Sequence, residues 1–173
     1  MNVASLASNT PRRHSLPARW LLLAAAVLLC VAGCSYSYAP GPRPSFIPAT
    51  KESIAELSKM DLILTRLVSD GERITLPESA GITLRFGDDN RVAGKSAVNR
   101  FFGTYELGPK GAFAWPGAGL GTTRMAGAES AMKLEAQLMK AFSSSTQLLT
   151  SDKAVRFQTA DGANLAEFSR PPR

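Results

Sequence analysis

The chain has 173 residues, of which 45% are apolar and 20% charged, and it carries a formal charge of +6. That length allows one ordinary domain and not two. With one His and two Cys in the whole chain, few catalytic or metal-binding sets can be assembled from it.

Arg12, Arg13 and Arg19 lie in the first 33 residues, and none of the 14 carboxylates does. Trp20 to Val31 is almost wholly apolar, and Val31-Ala32-Gly33-Cys34 closes the run with small residues ahead of a cysteine. About a dozen apolar residues fall well short of the roughly 20 needed to cross a bilayer, and a polar, proline-rich stretch follows. The segment resembles the lipobox of a bacterial lipoprotein signal peptide. Residues 1–33 are therefore expected to be a signal peptide, with Cys34 as the lipid-attachment residue. A short signal-anchor helix is the alternative, disfavoured by the same length. Ser35 is not the Asp that commonly retains lipoproteins at the inner membrane. In a two-membrane bacterium, the expected location is the periplasmic face of the outer membrane.

Cleavage before Cys34 would leave 140 residues and a formal charge of +3, because three of the 20 basic residues and no acidic ones depart. His14 and Cys30 depart as well, and Cys34 is acylated. Ser-His-Asp triads, Cys-His dyads, histidine-ligated zinc and an intrachain disulfide are then all excluded. No cofactor and no metal is expected. The remaining Lys and Arg are interleaved with Asp and Glu and not gathered in one cluster, so nucleic acid is not an expected partner. The membrane, reached through the N-terminal lipid, is the expected one.

Residues 34–49 read as a tether. Ser35 to Pro48 holds four prolines among mostly small and polar residues, and at polyproline-like rise it could reach roughly 40 Å. Tyr36, Tyr38, Phe46 and Ile47 offer a partner-binding segment as the alternative. A single domain over 50–170 is expected to follow. Thr50 is a candidate cap for a short helical turn through Ser53, Ile54, Leu57 and Ser58. From Asp61 to Val68 the texture is that of a strand, and Asp70-Gly71 offers a tight turn into Arg73-Ile74-Thr75-Leu76. Ile82, Leu84 and Phe86 alternate with Thr83 and Arg85, and Gly87-Asp88-Asp89-Asn90 is turn chemistry that returns the chain at Arg91 to Gly94.

Tyr105 and Leu107 before Gly108-Pro109-Lys110-Gly111, and Phe113 and Trp115 after it, place four large side chains on one face of a second hairpin. A third hairpin about Asp161-Gly162 sets Val155 opposite Phe168, Phe157 opposite Ala166 and Arg156 opposite Glu167, with Leu165 opposite Gln158 as the misfit. One long helix is expected from Ala128 or Glu129 to about Phe142. Ala131, Leu134, Leu138, Ala141 and Phe142 form its main stripe, and Met132, Ala136 and Met139 a second apolar flank. Such a helix should be embraced by the sheet. The fold class is α+β: a curved antiparallel sheet, or partly open β-barrel, of about eight strands wrapped around one helix.

Val92-Ala93-Gly94-Lys95-Ser96-Ala97-Val98-Asn99-Arg100-Phe101-Phe102-Gly103-Thr104-Tyr105 resembles the central signature of the META-domain (HslJ-type) family. Thr122-Thr123-Arg124-Met125-Ala126-Gly127, ahead of the Glu129 helix, resembles its second signature. The likeness extends over roughly Asp61 to Phe168. It implies a partly open barrel around a helix, similar to lipid-anchored pilot proteins of secretion systems. It also implies a non-enzymatic envelope protein linked to stress, which binds an envelope protein or lipid or plays a structural protective part. Where many relatives carry two cysteines, paired in a disulfide where present, this chain has Val98 and Gly127. The family's usual Trp near the domain start is replaced by Leu62 or Leu64.

Asn99, Arg100, Tyr105 and Arg124 are the candidate binding-rim residues. The reading preferred for Asn99 is a structural turn that bonds backbone groups, and for Tyr105, Phe101 and Phe102 it is the core. Gly117 to Gly121 lacks the spacing and the following helix of a phosphate-binding loop. Asp88 and Asp89 are the carboxylates for an alternative reading, an acid-residue-only hydrolase acting on an envelope polymer, but their Gly-Asp-Asp-Asn setting reads as a hairpin tip.

Overall fold

A computed structural model describes residues 45–117 and 119–172. The expected signal peptide, Cys34 and most of the tether lie outside the described residues. The described part of the tether is already domain: β1 (Ile47–Pro48) pairs with Leu149–Thr150, and Ala49 is 4% exposed. The Phe46 ring lies under Arg156, whose guanidinium carbon is 3.7 Å from the ring centroid. Residues 45–49 therefore belong to the folded unit, a correction to the expected boundary at residue 50. The cause is that the backbone of Ile47 and Pro48 supplies partners for an otherwise open edge of the sheet.

Thr50 caps helix α1 (Lys51–Leu57) in a reciprocal capping box with Ser53. Strand β2 (Leu62–Ser69) turns at Asp70-Gly71 into β3 (Glu72–Ile74), with Asp70 at φ 55°. There follow β4 (Thr83–Phe86), β5 (Arg91–Lys95), β6 (Arg100–Thr104), a short hairpin of β7 (Glu106–Leu107) and β8 (Phe113–Ala114), β9 (Gly121–Thr122), helix α2 (Glu129–Ser143), β10 (Gln147–Thr150), β11 (Ala154–Gln158) and β12 (Leu165–Ser169). Pairing is antiparallel throughout, in the order β1-β10-β11-β12-β2-β4-β5-β6-β9, with β3 also on β2. Eight of the described strands have three or more residues, and the others have two. The sheet curves around α2 without closing, its two ends being β1 and β9.

The last hairpin pairs as its alternation predicts: Val155 with Phe168, Phe157 with Ala166, Arg156 with Glu167 and Gln158 with Leu165. Its loop is wider than two residues, because Thr159 and Asn164 bond each other across it and leave the ladder. Leu165 is buried after all, opposite the buried Val68 of β2, so the misfit is absorbed by the neighbouring strand on the other side.

Inside the curve, α2 buries Leu134, Leu138, Ala141 and Phe142. Phe142 packs against Phe101, Trp115, Phe157 and Phe168 at centroid separations of 5.0–5.9 Å. The Trp115 indole donates to the Phe142 carbonyl at 2.7 Å, beside the Ser145 N–H at 3.1 Å, at the helix end. The embrace is one-sided. Met132 and Ala136 face solvent, whereas Met139, the third member of the expected second apolar flank, is half-buried and packs against the core. The core runs from Ala49 to Phe168, within one compact unit spanning Arg43–Arg173, so this unit can fold on its own.

Candidate functional site

Asn99 ends the turn between β5 and β6 and is 2% exposed, where an unpaired amide would be costly. Four hydrogen bonds use its whole capacity. Its Oδ1 accepts from the Thr123 hydroxyl at 2.8 Å and the Met125 N–H at 2.7 Å. Its Nδ2 donates to the Met125 carbonyl at 3.2 Å and to Glu135 Oε1 at 2.7 Å.

Glu135, on the inward side of α2, is the second centre of this cluster. Its Oε2 accepts from the backbone N–H of Asn99 at 2.8 Å and of Val98 at 3.2 Å, and from the Ser96 hydroxyl. The Ser96 oxygen in turn lies 2.7 Å from the Asn99 carbonyl and accepts from the Asn99 N–H at 3.0 Å. Burial raises the Glu135 pKa, but the donors on Ser96, Asn99 and Val98 outweigh it and hold the carboxyl below its ordinary value. The cluster joins the β5–β6 turn, the 123–125 segment and α2, and Arg100 and Thr123 lock its margin through bonds of 3.0 and 3.1 Å. It is a clasp, with its polar atoms turned toward one another.

The four rim candidates are thereby separated. Asn99 is buried in the clasp. Tyr105 is 5% exposed and packs its ring between Phe86 and Phe113, where desolvation raises the phenol pKa. Arg100 and Arg124 are exposed. These residues form no single rim, because alternation along β6 sends Arg100 and Phe102 outward and Phe101 inward, and Tyr105 continues the inward set. Asp88 and Asp89 sit at the exposed β4–β5 tip. The Gly-rich segment supplies β9, paired with β6. Among the described residues no group of three His, Cys, Asp or Glu is placed to hold a metal.

Glu135 was missed by the sequence reading. The available signal was a carboxylate four residues after Ala131 and three before Leu138, on the apolar stripe itself, where a charge needs a buried partner. Gly94 and Gly127 also acquire reasons. A Cβ at Gly94 would collide with the Thr83 carbonyl and the Phe101 ring, and one at Gly127 would lie 2.7 Å from a Val98 methyl and 3.4 Å from Val98 Cβ. The positions of the two family cysteines are therefore in contact.

Shallow grooves mark the described surface. One of about 610 Å³ lies between β3 and the start of α2, past Arg73, Ile74, Lys133 and Leu134. Grooves of about 720 and 410 Å³ flank the exposed Phe102 on the outer face of β5 and β6.

A comparison with curated proteins found no match. Among solved structures, the NMR structure of a protein from Burkholderia xenovorans is similar over 81% of this chain and 99% of its own, at 19% identity and TM-score 0.56. A crystal structure of a DUF4847 family protein from Bacteroides vulgatus matches over 68% of this chain and 96% of its own, at 9% identity and TM-score 0.49. The first of these has the same fold. The META domain profile matches residues 56–172, which contain both signatures, the clasp and nearly all of the sheet, and the chain belongs to the META domain family.

Proposed function

We propose that this META-domain protein is a lipid-anchored protein of the cell envelope with a non-enzymatic binding or accessory role connected with stress. The observation that carries the reading is Val31-Ala32-Gly33-Cys34 closing a short apolar run behind three arginines, with a polar stretch after it. The periplasmic face of the outer membrane follows from Ser35 in a two-membrane host. A non-catalytic role is supported by how the signature residues are used: Asn99, Ser96 and Glu135 bond one another and the backbone. Glu135, the buried carboxylate, is fully engaged, and Asp88 and Asp89 stand on a solvated tip, which weighs against a two-carboxylate hydrolase.

Metabolic labelling with palmitate in a bacterial host tests the reading. The wild-type chain should take up label and sediment with membranes, and Cys34→Ala should take up none and persist as the longer precursor. Label in Cys34→Ala would sink the assignment. Recovery of the labelled wild-type protein in inner-membrane fractions would overturn the proposed location.

A further inference from the structure

Strands β4, β5 and β6 turn Leu84, Phe86, Val92 and Phe101 into the core and leave the alternate positions on the opposite face. That outer face carries Arg85, Lys95 and Arg100 around Phe102. The register makes them neighbours: Lys95 lies opposite Arg100, and Ala93 lies between Arg85 and Phe102. Arg91, Lys95 and Arg100 follow one another in the chain with no acid between them, while Arg85 lies beyond Asp88 and Asp89; pairing of the three strands brings Arg85, Lys95, Arg100 and Phe102 onto one face.

Two observations set the face apart from an ordinary solvated sheet. Lys95 and Arg100 are like charges directly opposed across a ladder, an arrangement that costs stability. Neither has an ion-pair partner among the described residues. The carboxylate at the margin, Asp61, is engaged with Arg85 at 2.7 Å. Phe102 is 57% exposed in the midst of these cations, with the two shallow grooves on either side of it. Its cross-strand neighbours Ala93 and Gly121 are small, and the ring lies over Gly121, where a Cβ would come within 2.7 Å of it, with its other side open to solvent. Arg91, at the other end of β5, is nearer the Asp88-Asp89 tip, and the charge there is mixed.

We infer that this face rests on an anionic lipid headgroup surface, with Lys95 and Arg100 taking lipid phosphates and Phe102 entering the interfacial layer. An apolar ring among cations matches the two halves of an anionic bilayer surface. The small neighbours leave the face too open to enclose a small anion. One exposed ring is also short of the row of stacking platforms that single-stranded nucleic acid requires. The inference deepens the envelope reading and rests on it for the setting: residues 35–44 span at most roughly 30 Å at polyproline rise, so a lipid on Cys34 would hold the domain within reach of the bilayer.

Vesicle co-sedimentation with the unlipidated unit 43–173 tests the face apart from the anchor. The wild-type unit should bind mixed phosphatidylglycerol–phosphatidylcholine vesicles, and binding should weaken as salt rises. Lys95→Gln with Arg100→Gln should weaken it about thirtyfold, and Phe102→Ser about tenfold. Lys133→Gln, on α2, should leave it unchanged. All four positions are exposed, so the variants keep the fold. Equal binding by the Lys95/Arg100 variant, equal binding to phosphatidylcholine alone, or tighter binding to a single-stranded oligonucleotide than to vesicles would each overturn the inference. Absence of palmitate label from the wild-type chain would refute the anchor and leave the vesicle result standing, and the converse holds as well.

Discussion

A carboxylate buried beneath a sheet has to be compensated where it stands, and Glu135 is compensated by four donors from one short turn. Asn99 supplies two of them and also holds Met125 by both its N–H and its carbonyl. Asn99→Ala should therefore cost about 2 kcal/mol in chemical denaturation, since it removes one of the four donors on Glu135 and the side-chain partners of the Thr123 hydroxyl and of the Met125 N–H and carbonyl. The Glu135 pKa is depressed in the fold, so its contribution is complete above the ordinary value of 4.5 and is lost progressively as pH falls from there through the lower folded value. Stability measured from neutral pH downward should drop below about pH 4.5, and Glu135→Gln should show a shallower drop. Part of the slope should remain, because the Glu52 and Asp161 carboxyls are also held low, chiefly by hydrogen bonds at the α1 start and in the last hairpin loop. An unchanged slope in the Gln variant would contradict the role given to the clasp. Val98 and Gly127, 29 positions apart in the chain, meet closely enough for disulfide geometry. The double variant Val98→Cys, Gly127→Cys should oxidise spontaneously and gain about 3 to 4 kcal/mol on the chain-entropy model; free thiols in the folded, air-oxidised protein would refute the contact.

Among the elements, α2 carries the largest share of the packing. Leu138 is fully buried on its inward stripe between the Glu135 clasp and the Phe142 aromatic cluster. Leu138→Ala should cost about 2 to 5 kcal/mol, whereas Met132→Ala, at a 37% exposed position, should stay within about 0.5 kcal/mol. Comparable losses at the two positions would mean that the helix is enclosed on both flanks. The helix ends without an αL glycine: hydroxyls of Ser143, Ser144 and Ser145 take up the Lys140 and Ala141 carbonyls, and Trp115 takes that of Phe142. This ties the last turn of α2 to the segment just after β8, and through it to the aromatic core.

At the level of the molecule, the C-terminal hairpin joins the long strand β2 through β12, so the sheet is held together by residues about 100 positions apart. The edge at β10 is covered by β1, which places the folded boundary ahead of residue 50. A chain beginning at residue 45 should match the longer unit in thermal stability. One beginning at residue 50 should lose about 2 kcal/mol, with the β1 ladder bonds, the buried Ala49 and the Phe46–Arg156 contact all removed. Equal stability of the two chains would return residues 45–49 to the tether.

Local chemistry carried much of this architecture in readable form. The Asp70-Gly71 turn, the Thr50 cap, the stripe from Leu134 to Phe142 and the Val155–Phe168 register depend on periodicity and turn residues a few positions apart, which a linear reading can weigh. The two signatures likewise identified the fold. Tertiary structure alone decided the rest, because those features depend on groups far apart in the chain. Glu135 meets Asn99 across 36 positions, so the Asn that suggested a binding rim became half of a buried clasp. Pairing of β4, β5 and β6 set Arg85, Lys95, Arg100 and Phe102 on one face, although Arg85 and Phe102 are 17 positions apart in the chain. The Ile47-Pro48 segment, too poor in apolar surface to build a core, was drawn into the sheet by unpaired backbone groups that no local pattern reveals.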